Sequence, residues 1–396
     1  MRRSRLILTI ALLSIPAIIA IVVATRDDGA EEADGASGPK IELAGAKLSK
    51  DDVEDITKDA MGTSDLKDVK EAGPDEAAAS MEGTLVGKVR TFSLEARPVR
   101  WEYRSGQRIA AWGYNGQVPG PVLRANEGET VKVEFRNELP VATTVHWHGI
   151  DVPWQQDGVP GVTQKAVEPG ESFSYQFTAT PAGTRWYHTH GSGMDDEASQ
   201  IDMGLSGALV VRAKREVPAD VDQVLVLDEW SIGSGGYNAA MLAGHGAHSA
   251  GSSFNVFTMN GRAAPNIEDV VVKKGDRVRL RFVNASSVSY HPMHVHGHQA
   301  RVVALDGNPV PSPTTRNVEL LAPGQTADIE FVADNPGVWM LHCHDLHHST
   351  SGMSLLLRYE GYEPISDEHG GGDDDPADAK ADGDDEDPAA AAGMEH

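Results

Sequence analysis

The sequence predicts an all-β protein with two β-sandwich domains of the Greek-key type, at residues 84–215 and 222–363. Three observations support this fold class. They are an internal repeat, short runs in which apolar and polar residues alternate, and Pro and Gly residues that separate these runs about every ten residues. Outside the two domains we expect a signal peptide or membrane anchor at 1–25, an acidic linker at 26–83 and an acidic disordered tail at 364–396.

The internal repeat relates the two predicted domains. Residues 128–137 (GETVKVEFRN) match residues 275–284 (GDRVRLRFVN), and the motif His146-Trp-His-Gly149 matches His294-Val-His-Gly297. In the first pair of segments apolar and polar residues alternate, which is the period of a half-buried strand. No helix-rich stretch remains between the repeats, so both domains are predicted to be antiparallel sandwiches.

The net charge of −25 is concentrated at the two ends of the chain. Residues 26–83 carry 17 acidic and 7 basic side chains, and residues 364–396 carry 12 and 1. These ends are too polar to form a core, and we expect both to be solvated, with the amphipathic stretch 48–69 as the candidate for a short helix. Residues 84–363 contain no Lys/Arg cluster. Sequence-independent binding to nucleic acid requires such a cluster, which excludes nucleic acid as a partner.

The first 25 residues predict export. Arg2, Arg3 and Arg5 precede the uncharged stretch 6–25, and this arrangement directs the following domains out of the cytoplasm. The stretch is long enough to span a bilayer, while residues 22–24 (VVA) form an acceptable cleavage site. A retained anchor and a cleaved signal both remain open. In either case we expect an extracytoplasmic protein, secreted or anchored to the outer face of the cell membrane.

The chain has 16 histidines and a single cysteine, Cys343, so it cannot form an intrachain disulfide. Four His-x-His pairs occur at matched positions of the repeat. Residues i and i+2 of a strand project from the same face, so each pair can bind one metal ion or two adjacent ones. The pairs are His146/His148, His188/His190, His294/His296 and His342/His344.

The second domain carries a further set of donors, namely His291, Cys343, His348 and Met353. Two imidazoles, a thiolate and a weak axial thioether are the ligands of a blue copper site. Copper would deprotonate the cysteine, because the charge of the metal favours the thiolate. The aligned positions of the first domain are occupied by Thr143, Thr189, Met194 and Ser199. Only the second domain is therefore predicted to have this site.

These motifs resemble the four copper motifs of the multicopper oxidases, and the likeness extends over residues 84–363. It includes the segments 115–121 (NGQVPGP), 291–298 (HPMHVHGH) and 342–348 (HCHDLHH). With two domains and the blue site in the second, the chain most resembles the two-domain (small) laccases. The resemblance implies cupredoxin-like domains and four coppers per subunit, one of type 1, one of type 2 and two of type 3.

The resemblance also implies a role for each ligand. Type 1 copper would be held by His291, Cys343, His348 and Met353; type 2 copper by His146 and His294; and the type 3 pair by His148, His188, His190, His296, His342 and His344. The family oxidises substrates one electron at a time at type 1 copper and reduces dioxygen to water at the trinuclear cluster. Cys343 is bonded in sequence to two type 3 histidines and would connect the two sites.

Dioxygen reduction also requires protons. Asp157 follows His148 by nine residues, where related oxidases carry a carboxylate beside the cluster, and it is the predicted proton donor. Asp151 is the competing candidate. Ser349 stands where some relatives have a second acid, so the second donor stays open between Asp345 and other groups.

The remaining candidates are weaker. His298 is expected to form hydrogen bonds rather than bind metal, and His347 to be exposed beside the type 1 site. His245 and His248 lie in a Gly-rich loop. They either contact the substrate or are polar loop residues without a functional role. Met194, Asp195, Asp196, Glu197 and Met203 form a loop that either binds a metal ion or is a solvated face.

The resemblance makes laccase-like oxidation of phenols or aromatic amines the leading prediction, with a metallo-oxidase of Fe(II), Cu(I) or Mn(II) as the alternative. A copper nitrite reductase would carry its blue site in the first domain, and a copper-storage protein would need many soft ligands. The physiological electron donor stays open.

The resemblance also implies an assembly. Each domain supplies four histidines to the cluster, so a first domain must meet a second one. Small laccases make this contact between neighbouring chains of a trimer. We therefore expect a homotrimer with intersubunit clusters, because such a heterologous contact must close into a ring or extend as a filament.

Overall fold

In the computed structural model the described residues are 41–43, 46–72, 78–193, 196–242 and 254–365. They are mostly strands, which confirms the predicted all-β class. All of them belong to one compact unit. Outside the described residues lie the predicted export segment 1–25, residues 26–40 of the predicted linker, and the tail from 366 onward.

Within the described residues, thirteen strands precede residue 220. They are β1 (Ile41–Leu43), β2 (Ala46–Leu48), β3 (Glu71–Ala72), β4 (Ser80–Met81), β5 (Thr84–Val86), β6 (Val89–Arg104), β7 (Gln107–Tyr114), β8 (Gly120–Asn126), β9 (Thr130–Asn137), β10 (His146–His148), β11 (Ser172–Thr178), β12 (Gly183–His188) and β13 (Ser206–Arg212). After the β1-β2 hairpin they form sheet 1, in the order β10-β12-β13-β8-β4, and sheet 2, in the order β11-β9-β6-β3 with β5 and β7 also paired to β6.

Twelve strands follow. They are β14 (Val221–Trp230), β15 (Val256–Met259), β16 (Val270–Val272), β17 (Arg277–Asn284), β18 (His291–Val295), β19 (Ala300–Leu305), β20 (Asn308–Pro309), β21 (Thr315–Arg316), β22 (Val318–Leu321), β23 (Thr326–Val332), β24 (Val338–Cys343) and β25 (Ser354–Tyr359). They form sheet 3, in the order β15-β14-β17-β23-β19-β20 with β21 on β19, and sheet 4, in the order β16-β25-β24-β18-β22.

Each pair of sheets encloses its own apolar core. In the first sandwich Phe135 of sheet 2 and Tyr187 of sheet 1 belong to one buried cluster. In the second, Phe282 of sheet 3 and Leu341 of sheet 4 do the same. Smaller apolar clusters join the two sandwiches, and Trp101 Nε1 donates a hydrogen bond of 2.6 Å to the carbonyl of Gly261 across that contact.

Three α-helices are described: α1 (Lys50–Met61), α2 (Glu197–Asp202) and α3 (Leu346–Thr350). Short 3₁₀ turns occur at Leu66–Asp68, Trp154–Gln156, Ser234–Gly236 and Ala239–Leu242. Within the described ranges no helix has the length and apolar character needed to cross a bilayer.

The structure differs from the sequence prediction in the acidic segment before residue 84, which we expected to be a solvated linker. Helix α1 begins at a capping box formed by Ser49 and Asp52, and its apolar face, including Ile56 and Met61, is buried in the first core. Trp112 Nε1 donates a hydrogen bond of 2.7 Å to the carbonyl of Ala60. The expectation of a linker is therefore wrong for residues 46–72, because their acidic side chains cover only the outer face of the helix.

Candidate metal centres

The first histidine cluster lies on the outer face of sheet 1. In the antiparallel pair β10 and β12, His146 is opposite His188, while Trp147 is opposite Tyr187. Opposed residues project from the same face, so the period of two places the histidines outside and the two aromatic residues in the core. Donor atoms of His146, His148 and His188 lie within 4.8 Å of one another. The ring of His190 lies 5.7 Å from that of His146.

The second cluster repeats this arrangement on sheet 4. His294 of β18 is opposite His342 of β24, while Met293 is opposite Cys343. His294, His296 and His342 have donor atoms within 4.8 Å of one another. The ring of His344 lies 5.6 Å from the rings of both His294 and His342. The repeat seen in the sequence is thus a repeat of metal-binding geometry.

Backbone carbonyls orient the histidines of both clusters. Nδ1 of His146 lies 2.7 Å from the carbonyl of Asp157, and Nδ1 of His294 lies 2.5 Å from that of Asn317. Nδ1 of His188 and of His342 lie 2.7 and 2.8 Å from the carbonyl of the residue that follows each of them. A carbonyl can only accept, so each Nδ1 carries the proton and Nε2 is left free for a metal.

Burial lowers the pKa values of four of these imidazoles and so favours their neutral form. It lowers the pKa of His148 to about 4 and the pKa of His188 well below its ordinary value, and the neighbouring His146 adds to both effects. The pKa values of His296 and His342 are lowered for the same reason. Since a metal binds the neutral ring, both clusters are ready to bind at neutral pH.

The blue copper donors meet inside the second sandwich. The Cys343 thiol lies 3.8 Å from Nδ1 of His291 and 3.7 Å from Nδ1 of His348, and the two nitrogens are 3.2 Å apart. Cys343, His291 and Met353 are each 0% exposed. Burial lowers the pKa of His291 to about 3 and raises that of the thiol to about 12. Two neutral imidazoles and a thiol held together in an apolar core fit a type 1 copper ion, whose charge would release the thiol proton.

The corresponding place in the first sandwich is filled by hydrogen bonds. Thr143 Oγ1 lies 2.9 Å from Thr189 Oγ1, and both hydroxyls donate to Gln200 Oε1 at 2.8 Å. The repeat aligns Ser199 with Met353, and Gln200 is the residue after Ser199. The sequence pattern did not identify Gln200. The prediction that this half lacks the blue site agrees with the structure at the described positions; Met194 lies outside them.

The two predicted proton donors occupy different sides of the first cluster. Asp157 Oδ1 lies 3.4 Å from Nδ1 of His146, the candidate type 2 ligand. Asp151 instead lines a cavity of about 490 Å³ that also contacts His148, Arg185 and Asp306. Of these two acids, Asp157 is therefore the one whose carboxylate lies next to a cluster histidine.

Asp345 lies beside His348, a predicted type 1 ligand. Its Oδ1 accepts hydrogen bonds from the backbone N–H groups of His347 and His348, and its Oδ2 lies 3.8 Å from His348 Nε2. This contact does not support the suggestion that Asp345 is the second proton donor at the histidine cluster.

Glu197 is a site residue whose position the sequence did not reveal. It begins α2, and its carboxylate lies 3.2 Å from Nδ1 of His190 and 4.0 Å from Nδ1 of His188. The sequence predicts only a charged loop here, one that either binds a metal ion or faces solvent. A carboxylate at this distance from the second nitrogen of a metal-binding histidine can orient its ring, which makes Glu197 a candidate supporting residue of the cluster.

The other candidates of that loop are engaged elsewhere. Asp196 accepts hydrogen bonds from the backbone N–H groups of Ser192 and Gly193 and from the Gln200 amide. Met203 is buried in the first core. Met194 and Asp195 lie outside the described residues.

Two further histidines match their expected roles. His298 Nε2 lies 2.7 Å from the Tyr359 hydroxyl and its Nδ1 lies 3.0 Å from the carbonyl of His296, so it makes hydrogen bonds. His347 is exposed beside His348. His245 and His248 lie outside the described residues.

The all-β fold, the thiol and imidazole donors and the two histidine clusters together define a copper protein with cupredoxin-like domains. Residues 95–216 and 240–361 each match a family model described as multicopper oxidase, and the chain belongs to the multicopper oxidase family. Copper is the cofactor that this family implies, and the donor sets described above fit it.

Named relatives agree with this assignment. The chain is similar to copper resistance protein A of Pseudomonas syringae pv. tomato, at 34% identity over 52% of this chain and 40% of the relative. Among solved structures it is similar to the blue copper oxidase of Nitrosomonas europaea (33% identity, 69% of this chain and 86% of that chain, TM-score 0.62). It is also similar to the multicopper oxidase mgLAC (31% identity, 71% and 89%, TM-score 0.63). The chain spans half or less of the first curated relatives that it matches.

Proposed function

We propose that this protein couples the one-electron oxidation of phenols or aromatic amines to the four-electron reduction of dioxygen to water. The observation that carries the proposal is the strand β24. It supports the proposal because Cys343 lies with His291 and His348 inside the sandwich, while the preceding His342 belongs to a histidine cluster outside it. A sequence used for copper storage alone would need no such connection between two different kinds of site.

The residues around each site have separable roles. Copper, when bound, exchanges single electrons and activates dioxygen, which no side chain of this set does. Cys343 and its two peptide bonds provide the short covalent path between the sites. The carbonyls at Asp157 and Asn317 orient the two candidate type 2 ligands. The Asp157 carboxylate lies within reach of the cluster, where it would pass protons to dioxygen as a general acid–base group.

Electron donors would approach the type 1 site through His348. Its ring stacks on Phe257 at 4.0 Å, and its Nε2 edge is directed toward the carboxylate of Asp345. Leu346, at the start of the helix that contains His348, and Tyr290, the residue before His291, are exposed. An aromatic and apolar surface with one carboxylate suits a phenol or an aromatic amine.

The two histidine clusters of one chain do not complete each other. Among the described residues, ring contacts join histidines within each set, and none joins the first set to the second. Within one chain, the part of the second sandwich next to His148 is the turn at Gly324, where an added Cβ would lie 3.4 Å from the imidazole. Each cluster thus holds half of the ligands that a trinuclear site needs.

The faces that carry the clusters are also apolar. Leu320 of β22 is opposite Pro292 on the outer face of sheet 4 and is 54% exposed. Trp154, three residues before Asp157, is 62% exposed beside the first cluster. We propose that the first cluster of one chain meets the second cluster of the next in a homotrimer, which would cover these side chains and complete three trinuclear sites.

The cellular location is inferred from the sequence of the first 25 residues, which lie outside the described part of the chain. We propose an extracytoplasmic protein, either secreted or held at the outer face of the membrane by residues 1–25.

Copper analysis and oxygen uptake test the function. The copper-loaded protein should contain four coppers per chain and consume one dioxygen for every four molecules of 2,6-dimethoxyphenol oxidised by one electron. The Cys343→Ser variant is the control for metal-independent oxidation. A protein with four coppers that consumes no dioxygen with this phenol, an aromatic amine or Fe(II) would contradict the proposal.

A further inference from the structure

The end of strand β6, in the first sandwich, is hydrogen-bonded to the segment 261–264 of the second. Three bonds make this connection: Trp101 Nε1 donates to the carbonyl of Gly261 at 2.6 Å, the N–H of Ala263 donates to the carbonyl of Tyr103 at 3.0 Å, and Arg104 Nε donates to the carbonyl of Ala264 at 2.9 Å. The pairing of β6 with β7 shifts register between Glu102 and Arg104, and such a shift re-aims the side chains beside it.

Arg104 makes a second bond that the other residues of β6 do not make. Its Nη2 donates to the carbonyl of Ser351 at 3.0 Å. Within the described ranges no acid forms an ion pair with Arg104, and its guanidinium instead bridges two carbonyls of the second sandwich. The planar guanidinium can do this because its donors are held in a fixed fork.

The segment that Arg104 contacts is tightly confined. Residues 351–353 connect α3 to β25, and Gly352 has a φ of +136°. A Cβ added at Gly352 would lie 2.5 Å from the carbonyl oxygen of Phe257 and 3.1 Å from Arg104 Nη2. The carbonyl of Gly352 also accepts a hydrogen bond of 2.9 Å from the N–H of Ala264. The guanidinium therefore lies against the backbone of the residue before Met353.

Met353 is the predicted axial ligand of the type 1 site and is 0% exposed. Its N–H donates to the carbonyl of His348 at 3.0 Å, and its carbonyl accepts from the N–H of Cys343 at 3.1 Å. The backbone of Met353 is thus tied to two residues of the type 1 donor set. A shift of residues 351–352 would move the thioether, and a weak axial ligand tunes the redox potential of a blue copper ion.

We infer that Arg104 is a positioning residue of the type 1 site. Its two hydrogen bonds hold the backbone at 351–352 against Ala264 and so fix where Met353 presents its sulfur. This inference rests on the proposed function in one respect, that Met353 is a ligand of type 1 copper. It makes the properties of a site in the second sandwich depend on a side chain of the first.

Hydrogen exchange of the full-length protein without copper tests the positioning directly. Arg104→Met removes both donors and keeps an unbranched side chain, so the backbone amides of Gly352 and Met353 should exchange at least about tenfold faster. Trp101→Phe is the matched control, because it removes one hydrogen bond between the sandwiches from the same strand without touching Ser351. Its exchange at Gly352 and Met353 should be unchanged. Equal exchange in Arg104→Met and the unmodified protein, or equal acceleration in both variants, would contradict the inference.

The copper-loaded protein supplies a spectroscopic test. Arg104→Met should shift the type 1 absorption band and the copper hyperfine splitting, and should change the ratio of oxidised to reduced type 1 copper at a fixed potential by at least about threefold. Arg104→Lys keeps the charge but not the fork, and it should also change the spectrum. A Lys variant with the spectrum of the unmodified protein would show that charge alone matters and would contradict positioning.

A double substitution shows whether Arg104 acts through Met353. Met353→Leu removes the thioether with little change in volume, and in that background Arg104→Met should cause no further spectral change. A second change of full size would mean that Arg104 affects the copper by another route, and the inference would be wrong. Thermal unfolding establishes that each variant is folded.

These outcomes separate the inference from the proposed function. If no variant and not the unmodified protein had a blue band, the type 1 assignment would fail, while hydrogen exchange would still decide whether Arg104 holds residues 351–353. If the blue band responded to Arg104→Met as expected but no donor supported oxygen uptake, the positioning role would stand and the oxidase function would fail.

Discussion

His342 and Cys343, consecutive residues of β24, project from opposite faces of sheet 4. His342 lies opposite His294 on the outer face, and Cys343 lies opposite Met293 in the core. The alternation of a strand thus places a blue copper donor set and half of a histidine cluster on the two sides of one sheet. The two candidate sites are thus connected through the peptide bond between His342 and Cys343.

The role of Cys343 can be tested by replacing it with Ser. We expect Cys343→Ser to lose the intense visible band and the narrow copper hyperfine splitting of a thiolate-bound Cu(II), because the alkoxide of Ser does not form at neutral pH. The fold should be retained, since Cys343 makes no disulfide. Absorption and electron paramagnetic resonance spectra provide the measurement. A variant that stayed blue would show that another group ligates the ion.

The role of Asp157 is tested by its amide. Asp157→Asn leaves the backbone carbonyl that orients His146 in place and removes only the ionisable group. Reoxidation of the reduced protein by dioxygen should slow by about 100-fold or more, while reduction at the type 1 site stays the same. Stopped-flow absorption separates the two steps. The matched change Asp151→Asn should have little effect, and the reverse result would transfer the role to Asp151.

The contact between Glu197 and His190 predicts a weakened type 3 site in Glu197→Gln. The amide keeps the size of the side chain but can present its N–H instead of an acceptor oxygen, so it no longer reliably fixes the ring. We expect copper affinity or turnover to fall by about 10- to 100-fold, with the type 1 band unchanged. Copper titration followed at both sites is the measurement. Unaltered copper binding and turnover would show that Glu197 does not support the cluster.

Coexpression of two inactive variants tests the intersubunit cluster. One chain carries His146→Ala with His148→Ala, and the other carries His294→Ala with His296→Ala. In a trimer with shared sites, each mixed ring regains one intact cluster, and random mixing should restore about a quarter of the normal turnover. Each variant alone is the control. Because the described part of the first core includes Leu43, the chains should begin no later than Lys40.

The turnover of the coexpressed variants distinguishes an intersubunit cluster from one formed within a single chain. If the cluster were formed within one chain, no mixture could contain an intact site, and turnover would stay at the level of the separate variants. Light scattering on the same samples reports the number of chains. A fully copper-loaded and active monomer would also contradict the intersubunit site.

Burial raises the pKa of Glu229, on β14, and this predicts how stability depends on pH. Between its ordinary value of 4.5 and the folded value of about 7, the unfolded chain loses the proton while the folded chain keeps it. Stability therefore falls as pH rises through this window, by about 3 kcal/mol for a fully buried group. Glu229→Gln should remove this loss. Urea unfolding at about pH 4 and about pH 8, without divalent cations, measures the difference. Parallel pH dependences of the two proteins would show that the carboxylate is ionised in the fold.

Several features of the site could be predicted from sequence because they depend on residue spacing. The His-x-His period places two imidazoles on one face of any strand, and the repeat assigns corresponding roles to His146 and His294. The donors of the type 1 site were also predictable, since His291, Cys343 and His348 stand at the spacing of a known motif. Helix α1 was only partly predictable. Its amphipathic pattern was visible, but the acidic composition around it suggested a solvated segment.

Other features depend on contacts between distant segments. The distance from Glu197 to His190, the Gln200 hydrogen bonds that fill the first sandwich and the contact of Arg104 with Ser351 all join residues from different elements. No local pattern marks these side chains, because an acid in a loop looks the same whether it faces solvent or a buried histidine. The sequence by itself determined the fold class and predicted the donor sets, through the periodicity of strands and the chemistry of the donors. Only the tertiary structure decided which carboxylates are buried beside them, since burial and charge compensation arise when separate segments pack together.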